Sequence, residues 1–390
     1  MDEVTERRIE EAINPATPRE VLAALAGDED YGVRMFAAQN PNTPPAALAA
    51  LAEDGGGLVR LAVASNESTP CGVLMTLAGD ETLRVRENVA NNPSTPPVVL
   101  AMMACDVHEN VRCHIARSPY TPRRVLATLA NDESLRVRRV VADNPATPRR
   151  VLATLAIGGD ADVRANVARN SNTPIEVLGE LAQNGSVRLR RAVAENPSTS
   201  PVTLMALVDD RNYEVRESIA LNQHTPAEVL VRLAEDGEEY VRAHVACNPN
   251  IPLELLVKLA EDKNEDVRGS VARNPFTPRA VIMRLVEDKS YVVRHSVVEN
   301  PITPPEVRAT LATDEDWVVR LYSANNLNTP PQALAILARD ENDAVRDRAA
   351  QNPNTPRGVL SVPKRQRKQG HLKSTNSSGI RAAKQGGGHE

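Results

Sequence analysis

The chain has 390 residues, more than one compact core organises, so several domains or an extended architecture are expected. Hydrophobic residues make up 41% of it and aromatics only 2%, so Ala, Val and Leu must fill the interior. Four cysteines exclude a disulfide scaffold, the formal charge of −5 is mild, and no apolar run is long enough for a membrane helix. The charged start lacks an apolar h-region, and the expectation is a reduced, soluble, cytoplasmic protein, monomeric and without a cofactor.

Residues 1–16 read as an N-terminal capping half-repeat. Arg7, Arg8 and Glu11 stand 26 residues before Val33, Arg34 and Ala37, so core positions of the later frame are charged here. Charged terminal positions keep the outer face of a repeat array in water. From Thr17 the frame is unbroken. Thr-Pro recurs in steps of 26 from Thr17-Pro18 to Thr173-Pro174, and again at Thr225-Pro226 and from Thr277-Pro278 to Thr355-Pro356. Thr199-Ser200-Pro201 and Ile251-Pro252 fill the two gaps in register, so residues 17–354 make thirteen repeats of TPxxVLxxLAxDxxxxVRxxVAxNPx.

Each repeat predicts two short helices. In the first, Thr17 is the expected N-cap with Pro18 at N1, and Glu20, Glu176, Glu228 and Glu306 complete capping boxes. Val21, Leu22, Leu25 and Ala26 form its apolar stripe. Asp28 is the expected cap of the second helix, which carries Val33, Ala37 and Ala38 and stops at Asn40-Pro41, with Asn in the left-handed conformation. Helices of about ten residues are marginal alone, so stacked neighbours must bury the stripes.

The NPxTPxxVLxxLAxDxxxxVRxxVA unit resembles the leucine-rich repeat variant family over roughly residues 8–362, and its Asp-x5-Arg spacing is similar to that of HEAT repeats. The resemblance implies an all-α, right-handed α-solenoid of about thirteen two-helix repeats, an α-helix alternating with a short α- or 3₁₀-helix. It also implies a scaffold or binding surface without a catalytic motif. Some members carry an iron–sulfur segment, which needs clustered cysteines that this chain lacks. The expected organisation is a repeat solenoid over 17–362 followed by a disordered basic tail over 363–390.

Arg recurs at one place in every repeat from Arg34 to Arg346, and Asp stands six residues earlier except at Gly158 and Asn184. The pattern, exemplified by Asp132 and Arg138, Asp210 and Arg216, and Asp236 and Arg242, predicts a structural ladder in which guanidinium groups pin the inter-helix turns to their neighbours. A phosphate-tracking stripe would not need the matching acid column. The Asn column, from Asn14 onward and broken only by Ser118, is expected to satisfy loop backbone groups.

Residues 112–191 hold fourteen arginines against seven acidic residues. Arg123, Arg124, Arg149 and Arg150 occupy the same two places of adjacent repeats, a candidate anion-binding edge weighed against a solvated face. Tyr213, Tyr291 and Trp317 share one place with Tyr31, three residues before a ladder Arg, and Tyr240 is one residue off. These are candidate partner-binding aromatics, weighed against packing over the turn. Cys105, His108, Cys113 and His114 fit no zinc spacing, and neither a P-loop nor a catalytic pairing is present. The sequence therefore predicts a non-enzymatic scaffold for an unidentified protein partner. A nucleic-acid or polyanion binder using the Arg edge and the tail is the alternative, and no membrane is involved. A fourteenth first helix opens at Thr355-Pro356 and meets Pro363, and the tail from Lys364 carries net +6.

Overall fold

A computed structural model describes residues 3–360, so the expected tail of 363–390 and the stop at Pro363 lie outside the described residues. Among the described residues there are 28 α-helices and no strand: α1 (Glu3–Ile13), α2 (Arg19–Leu25), α3 (Tyr31–Gln39) and onward in strict alternation to α28 (Arg357–Leu360). The 3₁₀ alternative is not adopted. Between α1 and α28 the first helices have seven residues, except α12 (Arg149–Gly158) and α14 (Ile175–Asn184) with ten, and the second helices nine. The described residues form an all-α solenoid, which divides into two compact parts, one ending at Thr303 and the other starting at Pro304.

In the first part, successive second helices pack on one another, from α1 on α3 to α21 (Glu265–Arg273) on α23 (Tyr291–Glu299), and each first helix lies against the second helix of its repeat. The core follows the repeat. Leu22, Leu48, Leu74 and their counterparts to Leu256 and Ile282 are fully buried, as are Val33, Val59, Val85 and the Val column beyond them. Burial of each Leu contributes about 1.5–3 kcal/mol, and the small Val and Ala of the second helices let axes approach to about 8–10 Å. In the second part, α25 (Trp317–Asn325) packs on α27 (Asp343–Gln351), and Leu311, Leu334 and Leu337 fill the core. Arg308 stands there in the Leu place and is buried, which lowers its pKa.

Helix boundaries differ from expectation in three ways. Pro18, not Thr17, is the N-cap of α2, in an extended conformation (φ −59°, ψ 148°), and no side chain caps the helix. The Thr hydroxyl instead points backward and donates to the carbonyl six residues earlier, as Thr43 does to Ala37 O (2.5 Å) and Thr69 to Val63 O (2.7 Å). With Pro already fixing the cap, Glu20, Glu176 and Glu228 form no capping box, and α24 (Pro305–Leu311), beside Glu306, has no side-chain cap either. Where Ser200 displaces the proline, a side chain does cap the first helix, accepting from Thr203 N.

At the second helix, Asp30 rather than Asp28 is the N-cap, accepting from Gly32 N and Val33 N. Asp28 sits one step earlier in the turn and accepts from Asp30 N at 2.9 Å. At the other end, Asn40 is extended (φ −68°, ψ 125°), not left-handed. Its side-chain amide is what the place requires, because Nδ2 donates to Ala12 O and Asn14 O of the preceding half-repeat (2.8 and 2.9 Å).

Candidate functional site

The three polar columns are bonded from repeat to repeat. Where the Asp six residues back is present, the ladder Arg donates Nη1 to its carbonyl, as Arg216 does to Asp210 O (2.7 Å) and Arg242 to Asp236 O (2.7 Å); Arg190, which follows Asn184, donates to Gly185 O instead (2.8 Å). In the closed pairs, Nε and Nη2 grip the carboxylate of the Asp twenty residues ahead, in the next repeat. Arg216 meets Asp236 at 2.6 and 2.8 Å, Arg112 meets Asp132 at 2.7 and 3.0 Å, and Arg190 meets Asp210 at 2.5 and 2.9 Å. The same pair forms at Arg320–Asp340 in the second part, and Arg8 of α1 joins the half-repeat to the ladder by a single bond from Nη1 to Asp28 (2.9 Å).

Each Asp then does two jobs. Asp80 takes Arg60 on both oxygens and also accepts Thr82 N at 2.8 Å, so one carboxylate shapes its own turn and holds the repeat before it. Burial alone would raise these carboxyls. For Asp80, Asp236, Asp262 and Asp288 the hydrogen bonds from Arg and backbone N–H outweigh burial and hold the pKa below the ordinary value. For Asp210 the bond from Arg190 is the largest influence, with the same result.

The column is open at two consecutive places. Gly158 and Asn184 replace Asp opposite Arg138 and Arg164. Without the Asp that closes the turn, α12 (Arg149–Gly158) and α14 (Ile175–Asn184) each run on to ten residues. Gly159 and Gly185 follow, in extended conformations any residue adopts, but a Cβ there would strike Leu155 O or Leu181 O. Arg138 keeps its bonds to Asp132 O (2.6 Å) and Glu133 O (3.0 Å), while its Nε–Nη2 edge has no acceptor among the described residues.

Arg123 and Arg124 begin α10 (Arg123–Leu129), and Arg149 and Arg150 begin α12. All four are exposed and make no side-chain ion pair or hydrogen bond among the described residues. They lie at the far end of the first helix from the ladder turn, about 10–15 Å away along the axis. Tyr213 is the first residue of α17 (Tyr213–Leu221), Tyr240 the second of α19 (Glu239–Cys247), and Tyr291 the first of α23. They are 42%, 56% and 44% exposed, so none is consumed by the core. Trp317, equally exposed, begins α25 in the second part. Glu265 takes the aromatic place of α21, so the aromatics do not form an unbroken column.

Polar contacts across the second helices were not anticipated. Glu87 is buried and meets Arg84 (3.3 Å) and Asn110 Nδ2 (3.0 Å). Asp162 lies between Arg139 (3.3 Å) and Arg188 (2.7 Å), and Glu217 meets His244 at 3.2 Å. These places vary from repeat to repeat, so no period marks them. Burial pushes the Cys113 thiol up and the neighbouring His114 imidazole down, the reverse of what a thiolate–imidazolium pair needs. No group of three or more His, Cys, Asp or Glu among the described residues could hold a metal, and no described helix is long and apolar enough to cross a membrane.

Helices stacked in register and tied by in-frame columns define an α-solenoid repeat protein. The family model described as leucine rich repeat variant matches residues 161–183. The chain is similar to a solved structure described as a leucine-rich repeat variant with a novel repetitive structural motif. Identity is 26% and the TM-score 0.38, over 64% of this chain and 88% of that one. It is also similar to the karyopherin Kap121p bound to the extreme C-terminus of the protein phosphatase Cdc14p. Identity there is 9% and the TM-score 0.41, over 87% of this chain and 49% of that one, so the match spans about half of the karyopherin. Comparison with curated proteins gave no match.

Proposed function

We propose that the protein is a non-enzymatic scaffold that binds a protein partner on its solenoid surface. One observation carries this reading. The recurring Arg, Asn and Thr columns bond within and between repeats, so the surface left for recognition is the non-repeating one, including half-exposed Tyr213, Tyr240 and Tyr291 at the starts of second helices. Aromatic side chains in such places supply contact area at low entropic cost. The test is affinity capture from nuclease-treated lysate with the wild type and a Tyr213→Ser/Tyr240→Ser/Tyr291→Ser variant. A partner retained after nuclease and lost with the triple variant is the expected result. Capture that vanishes with nuclease would sink the reading.

A polyanion-binding reading has its own support in the four exposed arginines that start α10 and α12 without an acidic partner. It requires affinity that falls steeply with salt and disappears on fourfold Arg→Glu reversal.

A further inference from the structure

The open stretch of the ladder lies between two closed pairs, Arg112–Asp132 and Arg190–Asp210. Within it, Arg138 presents an Nε–Nη2 edge with no acceptor among the described residues. Arg164 makes no side-chain hydrogen bond among them at all, and its Nε is buried without a partner. A buried donor left unmatched costs free energy that a ligand recovers on binding. Space is available beside it: a Cβ on Gly158 would meet nothing within 4 Å, and Ile157, Gly158 and Asn184 are exposed. The closed pairs on either side show what this edge grips, a carboxylate held side-on by Nε and Nη2.

We infer that the gap is a docking site for an acidic segment of a protein partner, whose carboxylates take the two places left by the missing ladder Asp residues. The inference rests on the scaffold reading and gives it a partner chemistry. Neighbouring second helices stand about 8–10 Å apart, and three residues of extended chain span about 9–10 Å. The segment recognised is therefore extended, with Asp or Glu at every third residue. A continuous polyanion suits the gap less well. It would pass Glu133, Asp160 and Asp162, whereas a peptide brings charge to two points only.

The probe is a fluorescein-labelled peptide repeating Asp-Gly-Ser, with an Asn-Gly-Ser peptide as control, titrated by anisotropy against the full chain. Gly158→Asp/Asn184→Asp refills the gap, and Arg138→Gln/Arg164→Gln removes its charge. Wild type should bind the acidic peptide and not the control, and each double variant should weaken binding about tenfold or more. Reversal of Arg123, Arg124, Arg149 and Arg150 to Glu should change it less than about threefold, through screened long-range charge alone. Thermal melts confirm that each protein is folded, and the Gln pair decides if the refilled protein is not.

No binding by wild type, or unchanged binding by folded gap variants, overturns the inference. So does a single-stranded RNA oligonucleotide or heparin that binds more tightly than the peptide and is lost with the Gln pair, which would make the gap a phosphate site. A partner captured equally by wild type and gap variants leaves the scaffold standing without this site. Peptide binding at the gap in a protein that captures nothing does the opposite.

Discussion

Arg216 uses all three guanidinium nitrogens, two on Asp236 and one on Asp210 O. Arg216→Ala should therefore cost about 1–3 kcal/mol, because a half-buried carboxylate and a turn carbonyl lose a charged donor together. Arg164 occupies the same place with no acceptor, so Arg164→Met should leave stability unchanged or raise it by up to about 1–2 kcal/mol. Denaturant unfolding of the two variants checks the contrast, and equal losses would mean that packing, not pairing, sets the value of the column. The repeat itself hides which Asp an Arg uses. Six residues back and twenty ahead are the same place in a 26-residue frame, so periodicity shows the Asp and Arg columns but cannot say that the carbonyl comes from one repeat and the carboxylate from the next. Thr17 misleads for a different reason: its hydroxyl suits a cap, yet Pro18 already holds the cap conformation, and the carbonyl of Glu11 is the acceptor within reach.

At the scale of the helix, α12 and α14 show what the turn Asp controls. With Asp, the first helix stops after seven residues; with Gly158 or Asn184 it runs to ten and the chain must leave through a glycine pressed against a carbonyl. Gly159→Ala should destabilise by about 1–3 kcal/mol through that collision. Gly237 occupies the equivalent place in a repeat with Asp236 and has open space around it, so Gly237→Ala should be neutral or stabilise by about 0.4–1 kcal/mol. Melting temperatures moving in the same direction for both would refute the steric account. The two-helix repeat, its apolar stripes and its register were legible from the spacing of Thr-Pro, Val-Leu and Asn-Pro. The contacts of Glu87, Asp162 and Glu217 were not, because they depend on which non-repeating side chains meet across neighbouring helices.

For the molecule as a whole, the depressed carboxyls set the response to acid. Asp54, Asp80, Asp106, Asp210, Asp236, Asp262 and Asp288 all have folded pKa values below the ordinary one. Such groups stabilise the fold fully above the unfolded value of about 3.9, and the contribution is lost as pH falls through the folded values. The melting temperature should be level between about pH 5 and 7 and should drop progressively below about pH 4. A protein whose melting temperature holds steady down to about pH 2 would show that the ladder contributes little to stability.

The bonds between repeats also have a direction. Guanidinium groups reach forward to the next repeat, as Arg216 does to Asp236, while the Asn amides reach back, as Asn222 does to Ala194 O and Asn196 O. A solenoid cut across a closed Arg–Asp pair within residues 1–303 thus bares two unlike ends, one offering unmatched Arg and the other unmatched Asp and Asn. Such ends complement each other and not themselves. Fragments of this chain have a built-in polarity of assembly, joining head to tail into open rows and not face to face into closed pairs.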